Sequence, residues 1–82
     1  MILEIFASDN ELRVELESAV EQAVRELGLT GETTVYRITD PASIVGRGVW
    51  RAPGLAVDGK VVSRGKPLSA EEVAGLIRAA AG

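Results

Sequence analysis

The chain has 82 residues, of which 46% are hydrophobic and 26% are charged, and its formal net charge is −3. A chain of this length is expected to fold as one domain spanning residues 1–82, with a core too small to enclose a large cofactor. It contains no cysteine and no histidine, which excludes disulfide exchange, iron–sulfur clusters and thiolate zinc sites. We therefore expect no metal site and no cofactor.

Acidic and basic residues are interspersed along the chain, so there is no basic stripe of the kind that binds nucleic-acid phosphates. No apolar run approaches the ~20 residues that a membrane-spanning helix needs. No basic segment followed by an apolar one opens the sequence, so no signal peptide is predicted. We expect a cytoplasmic protein with neither a nucleic-acid partner nor a membrane partner.

The first predicted elements are a strand and a long helix. Residues 2–6 form a short run of branched apolar residues, which predicts a strand. Ser8 and Glu11 have the spacing of a capping box for the helix that follows, although Asp9 or Asn10 could be the cap instead. The helix has an apolar stripe at steps of three and four, made of Leu12, Leu16, Ala19, Val20, Ala23, Val24 and Leu27.

A second strand and a short second helix are predicted next. Residues 33–39 are β-branched and aromatic, which favours a strand. Asp40 and Pro41 are typical of a helix start, as the cap and the first helical residue. This helix should be short, because Gly46 and Gly48 interrupt it.

The C-terminal part of the chain predicts a hairpin and a last helix. Asp58 and Gly59 separate two branched runs, at residues 55–57 and 60–63, which is a strong hairpin signal. Ser69 and Glu72 repeat the capping-box spacing. The apolar face of the last helix is predicted to consist of Val73, Leu76, Ile77 and Ala80.

The predicted order is β-α-β-α-β-β-α, an α/β protein. Because the first two strands flank a helix, they should be parallel and joined by a right-handed crossover. The final hairpin must be antiparallel. One mixed four-stranded sheet with helices on both faces would bury every apolar stripe.

Four segments of the chain resemble the small thioredoxin-like proteins of the redox-active disulfide type. They are the strand at residues 2–6 with its Ala-Ser turn, the long helix through residues 16–17, Gly-Val-Trp-Arg-Ala-Pro at residues 48–53, and Leu-Ala-Val-Asp-Gly-Lys-Val-Val at residues 55–62. The resemblance implies a thioredoxin-like fold and a cis peptide bond before Pro53. It also implies a groove, between the N-terminus of the first helix and that proline, which receives an extended substrate segment in such proteins.

The defining motif of that family is Cys-x-x-Cys at the start of the first helix, and its two cysteine positions align with Asn10 and Arg13. Both cysteines are absent, so the resemblance does not imply redox activity for this chain. What it still implies is a groove that binds a peptide or a partner protein, with the candidate residues Ser8, Asn10, Arg13, Trp50, Arg51, Ala52 and Pro53.

Each of these candidates has a structural alternative. Ser8 and Asn10 could be ordinary helix caps, and Arg13 and Arg51 could be solvated surface charges. Trp50, the only tryptophan, could be a core residue or an exposed anchor of the kind enriched at interfaces.

Three functions remain open at this point. The first is a redox-inactive binding module for an unknown protein or peptide, either monomeric or weakly homodimeric. The second is a thioredoxin or disulfide-oxidoreductase family member in cell redox homeostasis whose chemistry a partner supplies, and the third is a purely structural dimerising subunit. We expect no enzymatic activity, because Ser8 is the one hydroxyl near the groove and no histidine exists to act as its base.

Overall fold

The computed structural model describes residues 1–81, and its helices and strands follow the predicted β-α-β-α-β-β-α order. A single turn of 3-10 helix, Thr30–Glu32, precedes the second strand. The elements are β1 (Ile2–Phe6), α1 (Asn10–Glu26), β2 (Thr34–Ile38), α2 (Pro41–Gly46), β3 (Gly54–Val57), β4 (Lys60–Arg64) and α3 (Ala70–Ala81).

The four strands form one mixed sheet in the order β2-β1-β3-β4. β1 runs parallel to β2, as the crossover through α1 requires, and antiparallel to β3. β3 and β4 are antiparallel, as their hairpin requires. Asp58 and Gly59 join β3 to β4 with φ angles of 48° and 89°. Positive φ at both central residues gives a two-residue loop the twist of the strands it connects, so this predicted hairpin is confirmed.

Helices cover both faces of the sheet and create two cores. Leu3 and Ile5 of β1 point to the face that α1 and α3 cover, and Phe6 points to the face that α2 covers. All three side chains are fully buried, because side chains alternate between the faces of a strand. The smaller core, under α2, consists of Phe6, Ile44, Val49 and Ala56, with Ile38 and Val61 packed against it.

The start of α1 differs from the predicted capping box. The cap is Asp9, whose Oδ1 accepts a hydrogen bond of 3.0 Å from the backbone N–H of Leu12. The helix therefore begins at Asn10, and the Ser8–Glu11 box is wrong because Ser8 lies one residue too early to reach the first turn.

The starts of α2 and α3 are confirmed. The Asp40 carboxylate accepts a hydrogen bond of 2.9 Å from the backbone N–H of Ser43, and Pro41 occupies the first turn. Ser69 and Glu72 form a reciprocal capping box, with hydrogen bonds of 3.0 and 3.1 Å.

The apolar face of α3 was predicted wrongly at one residue. Ala80 is exposed, whereas Ala74, one residue after Val73, is buried against α1. Within residues 1–81, no helix is long and apolar enough to span a membrane.

Candidate functional site

The candidate residues come from two distant parts of the sequence that the sheet brings to one end. Phe6, the last residue of β1, pairs with Gly54, the first residue of β3. Because these strands are antiparallel, the chain leaving β1 at Ala7 and Ser8 passes beside the chain that enters β3 at Pro53. The register therefore places residues 8–13 and residues 50–53 at the same end of the sheet.

Pro53 is fixed in place by its neighbours on both sides. The Ala52–Pro53 peptide bond is cis, and Pro53 is buried. Its carbonyl oxygen accepts a hydrogen bond of 2.9 Å from the backbone N–H of Gly65, in the loop after β4. The next residue, Gly54, lies so close to Val49 that a Cβ there would be 2.7 Å from Val49 Cγ1. Only a glycine allows this approach of β3 to the smaller core.

Trp50 is 76% exposed, although the residue before it, Val49, is 1% exposed. The core-residue alternative is therefore wrong, because the indole lies outside both cores. An aromatic ring of this size presented to solvent is a candidate contact residue.

Arg51 is exposed, but its position is restricted by Gly65. A Cβ added to Gly65 would lie 2.9 Å from Arg51 Cβ, so the aliphatic part of the arginine side chain packs on this glycine. Within residues 1–81, Arg51 forms no ion pair. Its guanidinium is available to an external anion, and the carboxylate of a bound peptide would be a suitable partner.

The backbone before Pro53 is also available. Among the described residues, the backbone N–H and C=O groups of Trp50, Arg51 and Ala52 make no backbone hydrogen bond. Ala52 itself is half-buried. This bend before β3 therefore offers backbone donors and acceptors to a ligand chain.

The N-terminus of α1 contributes polar groups that are mostly engaged with one another. Asn10 Oδ1 accepts a hydrogen bond from Arg13 Nη2, and Arg13 Nε lies 3.5 Å from Glu17 Oε1. The Arg13 side chain is 23% exposed and is held between Asn10 and Glu17 of its own helix, so it is not a freely solvated charge. Ser8 is exposed beside the cap residue Asp9.

The carboxylates at this end of the sheet serve as helix caps. The backbone N–H and the hydroxyl of Ser43 both donate to Asp40, and they hold the pKa of its carboxyl below the ordinary value. Asp9 is occupied by the N–H of Leu12. A base for proton transfer needs a raised or near-neutral pKa, so Asp40 does not have the surroundings of a general base.

Two features were missed by the sequence analysis. Glu4 and Arg47 form a bidentate ion pair on the α2 face of the sheet; the one signal was a lone charge inside an apolar strand. A cleft of about 380 Å³ lies between α1 and β2, with Val20, Val24 and Val35 in its lining. The sequence contained little indication of this cleft, because its presence depends on the distance between α1 and the edge strand β2.

Among residues 1–81, the end of the sheet thus carries an exposed tryptophan, an arginine with no ion pair and backbone groups with no backbone hydrogen bond, and the sequence contains no thiol. Residues 12–78, well over half of the chain, match the family model described as Thioredoxin domain. A search of the curated proteins finds no match to the chain.

Proposed function

The chain belongs to the thioredoxin domain family and has its α/β fold, and from that premise we propose that it is a redox-inactive binding domain. Its ligand is an extended segment of a peptide or of a partner protein. The segment lies in the groove between the N-terminus of α1 and Pro53. Because the chain has no cysteine, it supplies no thiolate to attack a disulfide, and binding is what remains for this site to do.

The observation that carries this proposal is the stretch Trp50–Ala52. Its backbone groups have no backbone partner within residues 1–81, and its first residue, Trp50, is 76% exposed. An extended ligand that pairs with these groups gains affinity from main-chain hydrogen bonds. The indole adds an apolar contact of the kind that dominates many interfaces.

The charges near the stretch favour an acidic ligand. Arg51 has no ion-pair partner among the described residues, whereas Arg13 is already paired with Glu17. A carboxylate beside an apolar residue in the ligand would therefore meet Arg51 and Trp50 together. Ser8 and Asn10 would border the opposite side of the groove.

No residue at this site supports an enzymatic function. Ser8 has no histidine to activate it, and the nearby carboxylates Asp9 and Asp40 are occupied as helix caps. Nucleophilic catalysis by serine requires an adjacent base. We therefore propose binding without turnover.

A random linear peptide library, selected on the immobilised protein and followed by NMR chemical-shift mapping, tests the proposal. We expect enriched peptides to combine an apolar residue with acidic residues, and shifts to concentrate at residues 8–13 and 50–54. Trp50→Ala and Arg51→Glu should each weaken binding by about tenfold or more. Ile2→Ala is the matched control, because Ile2 is 45% exposed at the opposite end of β1.

Two results would contradict the proposal. Shifts confined to residues 14–27 or 70–80 would show that ligands bind the outer faces of the helices instead. Equal losses of affinity in Trp50→Ala and Ile2→Ala would show that the groove has no special part in binding.

A further inference from the structure

The two edges of the sheet differ in what they present to another strand. β4 has Lys60 and Arg64 at its ends, and its pairing with β3 shifts register at Leu55/Ala56. Terminal charges and irregular pairing are common protections of an edge strand. β2, at the other edge, contains no proline, has one charged residue, Arg37, and pairs with β1 in unbroken register. The β2 edge is therefore the one open to a further strand.

The hydrogen bonds to β1 show which groups of β2 face outward. Thr34 N–H donates to Met1 O, and Ile38 O accepts from Ala7 N–H. In a parallel pair, alternate residues of a strand direct their backbone groups to the same neighbour. The N–H and C=O groups of Val35 and Arg37 consequently point away from β1, to the free edge.

We propose that two copies of this chain associate through antiparallel pairing of their β2 strands about a two-fold axis at Tyr36. In this register Val35 lies opposite Arg37 of the second copy, and all five residues of β2 are paired. Each Val35–Arg37 pair exchanges two hydrogen bonds through the outward groups identified above. Tyr36 then faces Tyr36 of the second copy, at a position where directly opposed side chains are closest. The interface is self-complementary, as a two-fold dimer requires.

The side chains on the α2 face of the sheet suit this arrangement. Tyr36 is 54% exposed and Ile2 is 45% exposed, and the parallel register puts both on the same face. Opposed aromatic residues stabilise antiparallel strand pairs. The pairing would cover apolar surface that the monomer leaves in water.

On the other face of the sheet, charge complementarity favours a second copy as the occupant. The cleft between α1 and β2 is lined by Val35 and by two acidic and two basic side chains, Glu17, Glu21, Arg25 and Arg37. Of the two acids, Glu17 is paired with Arg37 of its own chain, whereas Glu21 forms no ion pair within residues 1–81. Arg37 of the second copy, opposite Val35, projects toward this cleft. Its Nε bonds Glu17 of its own chain, which leaves its terminal N–H groups to reach Glu21 across the interface. The two-fold axis makes this contact twice.

The paired surface is small, so the dimer should be weak. Stable dimers usually bury more than about 1,200 Å² in total, and a five-residue edge is a short contact. We expect association that depends on concentration, with monomers dominating in dilute solution.

Analytical ultracentrifugation from micromolar to millimolar protein measures this association. We expect the mass to approach twice the 8.6 kDa of the monomer as concentration rises. Tyr36→Lys places like charges opposite each other and should raise the dimer Kd at least about tenfold. Val45→Lys is the matched control, since Val45 is 53% exposed on α2. A wild type that stays monomeric at millimolar concentration, or equal effects of the two variants, would overturn the proposal.

The register is tested separately by cross-linking. Because the chain has no cysteine, Tyr36→Cys introduces a single thiol that would face its own copy across the axis, at a Cα separation that a disulfide can span. We expect a mild oxidant to link this variant into dimers at least about tenfold faster than Val14→Cys, whose position on α1 is 51% exposed. Equal rates of linkage for the two variants would rule out the pairing centred at Tyr36.

Discussion

Two hydrogen bonds of 2.7 and 2.8 Å join the guanidinium of Arg47 to the carboxylate of Glu4 across the α2 face of the sheet. Arg47 Cζ also lies 5.2 Å from the centroid of the Phe6 ring, within the range of a cation–π contact. The Glu4 side chain is 16% exposed, so the charge that interrupts β1 is satisfied by a partner from the segment after α2. The pair links α2 to the centre of the sheet.

We expect this pair to make stability depend on pH. The hydrogen bond from Arg47 lowers the pKa of Glu4 below its ordinary value of 4.5, so near that pH the unfolded chain binds more protons than the folded one. The contribution is complete above about pH 4.5 and is lost as the pH falls through the lowered pKa. Urea unfolding at neutral pH and at about pH 3 should show that Glu4→Gln destabilises more at neutral pH.

Other carboxylates also lose stabilising contacts in acid, but they affect the wild type and Glu4→Gln equally. The pKa of Asp40 is lowered chiefly by the backbone N–H of Ser43, and that of Glu72 chiefly by the backbone N–H of Ser69. Glu4→Gln changes neither of these contacts, so their effects cancel in the difference in unfolding free energy between the wild type and the variant. A difference that is equal or larger in acid would contradict the assigned role of Glu4.

Gly54 and Gly75 should respond in opposite directions to the same substitution. A Cβ at Gly54 would lie 2.7 Å from Val49 Cγ1, whereas one at Gly75, inside α3, would meet nothing within 4 Å. We expect Gly54→Ala to lower the free energy of unfolding by about 1–3 kcal/mol through overpacking. Gly75→Ala should raise it by about 0.5–1 kcal/mol, because alanine favours a helix interior.

Thermal and urea unfolding of both glycine variants check this prediction. If Gly54→Ala were as stable as the wild type, the close approach of β3 to Val49 would not be a constraint on the fold. If Gly75→Ala stabilised the protein in that case, the placement of Gly75 inside α3 would still be supported.

The cap of α1 gives a comparison between adjacent residues. Asp9 Oδ1 accepts from the N–H of Leu12, and Ser8 has no such bond among the described residues. Asp9→Ala should therefore cost about 1 kcal/mol of stability, and Ser8→Ala should cost close to none. Equal costs in urea unfolding, or a larger cost for Ser8→Ala, would restore the capping box that the sequence spacing predicted.

The elements that could be predicted from the sequence depend on short-range patterns. Asp40 with Pro41, and Ser69 with Glu72, are helix starts whose partners lie within three residues. The Asp58–Gly59 turn is also local. The choice between Ser8 and Asp9 could not be made, because both are good caps and the structure decides by where β1 ends, with Ala7 N–H bonded to Ile38 O.

The site was harder to predict because it depends on contacts between distant residues. Whether Trp50 is exposed depends on what α2 and β3 leave uncovered, and no local pattern contains that information. Glu4 and Arg47 are 43 residues apart, so their pairing follows from the packing of α2 on the sheet. The free edge of β2 likewise becomes visible only with the strand order.

The wild-type protein should be silent in disulfide reduction. Attack on a disulfide needs a thiolate, and the chain has no cysteine. With dithiothreitol as the electron source, the pure protein should give only the rate of the reagent. Turnover clearly above that background would require chemistry that these residues do not contain.

Restoring cysteines tests whether positions 10 and 13 correspond to the Cys-x-x-Cys motif of the family. The side chains of Asn10 and Arg13 already contact each other in the first turn of α1, where the helix N-terminus stabilises a thiolate. We expect Asn10→Cys/Arg13→Cys to form an intramolecular disulfide and to reduce disulfides above background. Glu15→Cys/Ser18→Cys is the matched control, since it has the same spacing at exposed positions inside the helix.

The two double variants together separate position from spacing. If only the pair at positions 10 and 13 gains activity, the helix N-terminus beside Pro53 retains the geometry of a redox site that has lost its thiols. If both pairs behave alike, reactivity reflects two nearby thiols on any helix. If the variant at positions 10 and 13 folds, as its circular dichroism would show, but never forms its internal disulfide, the alignment of this turn with the motif is wrong.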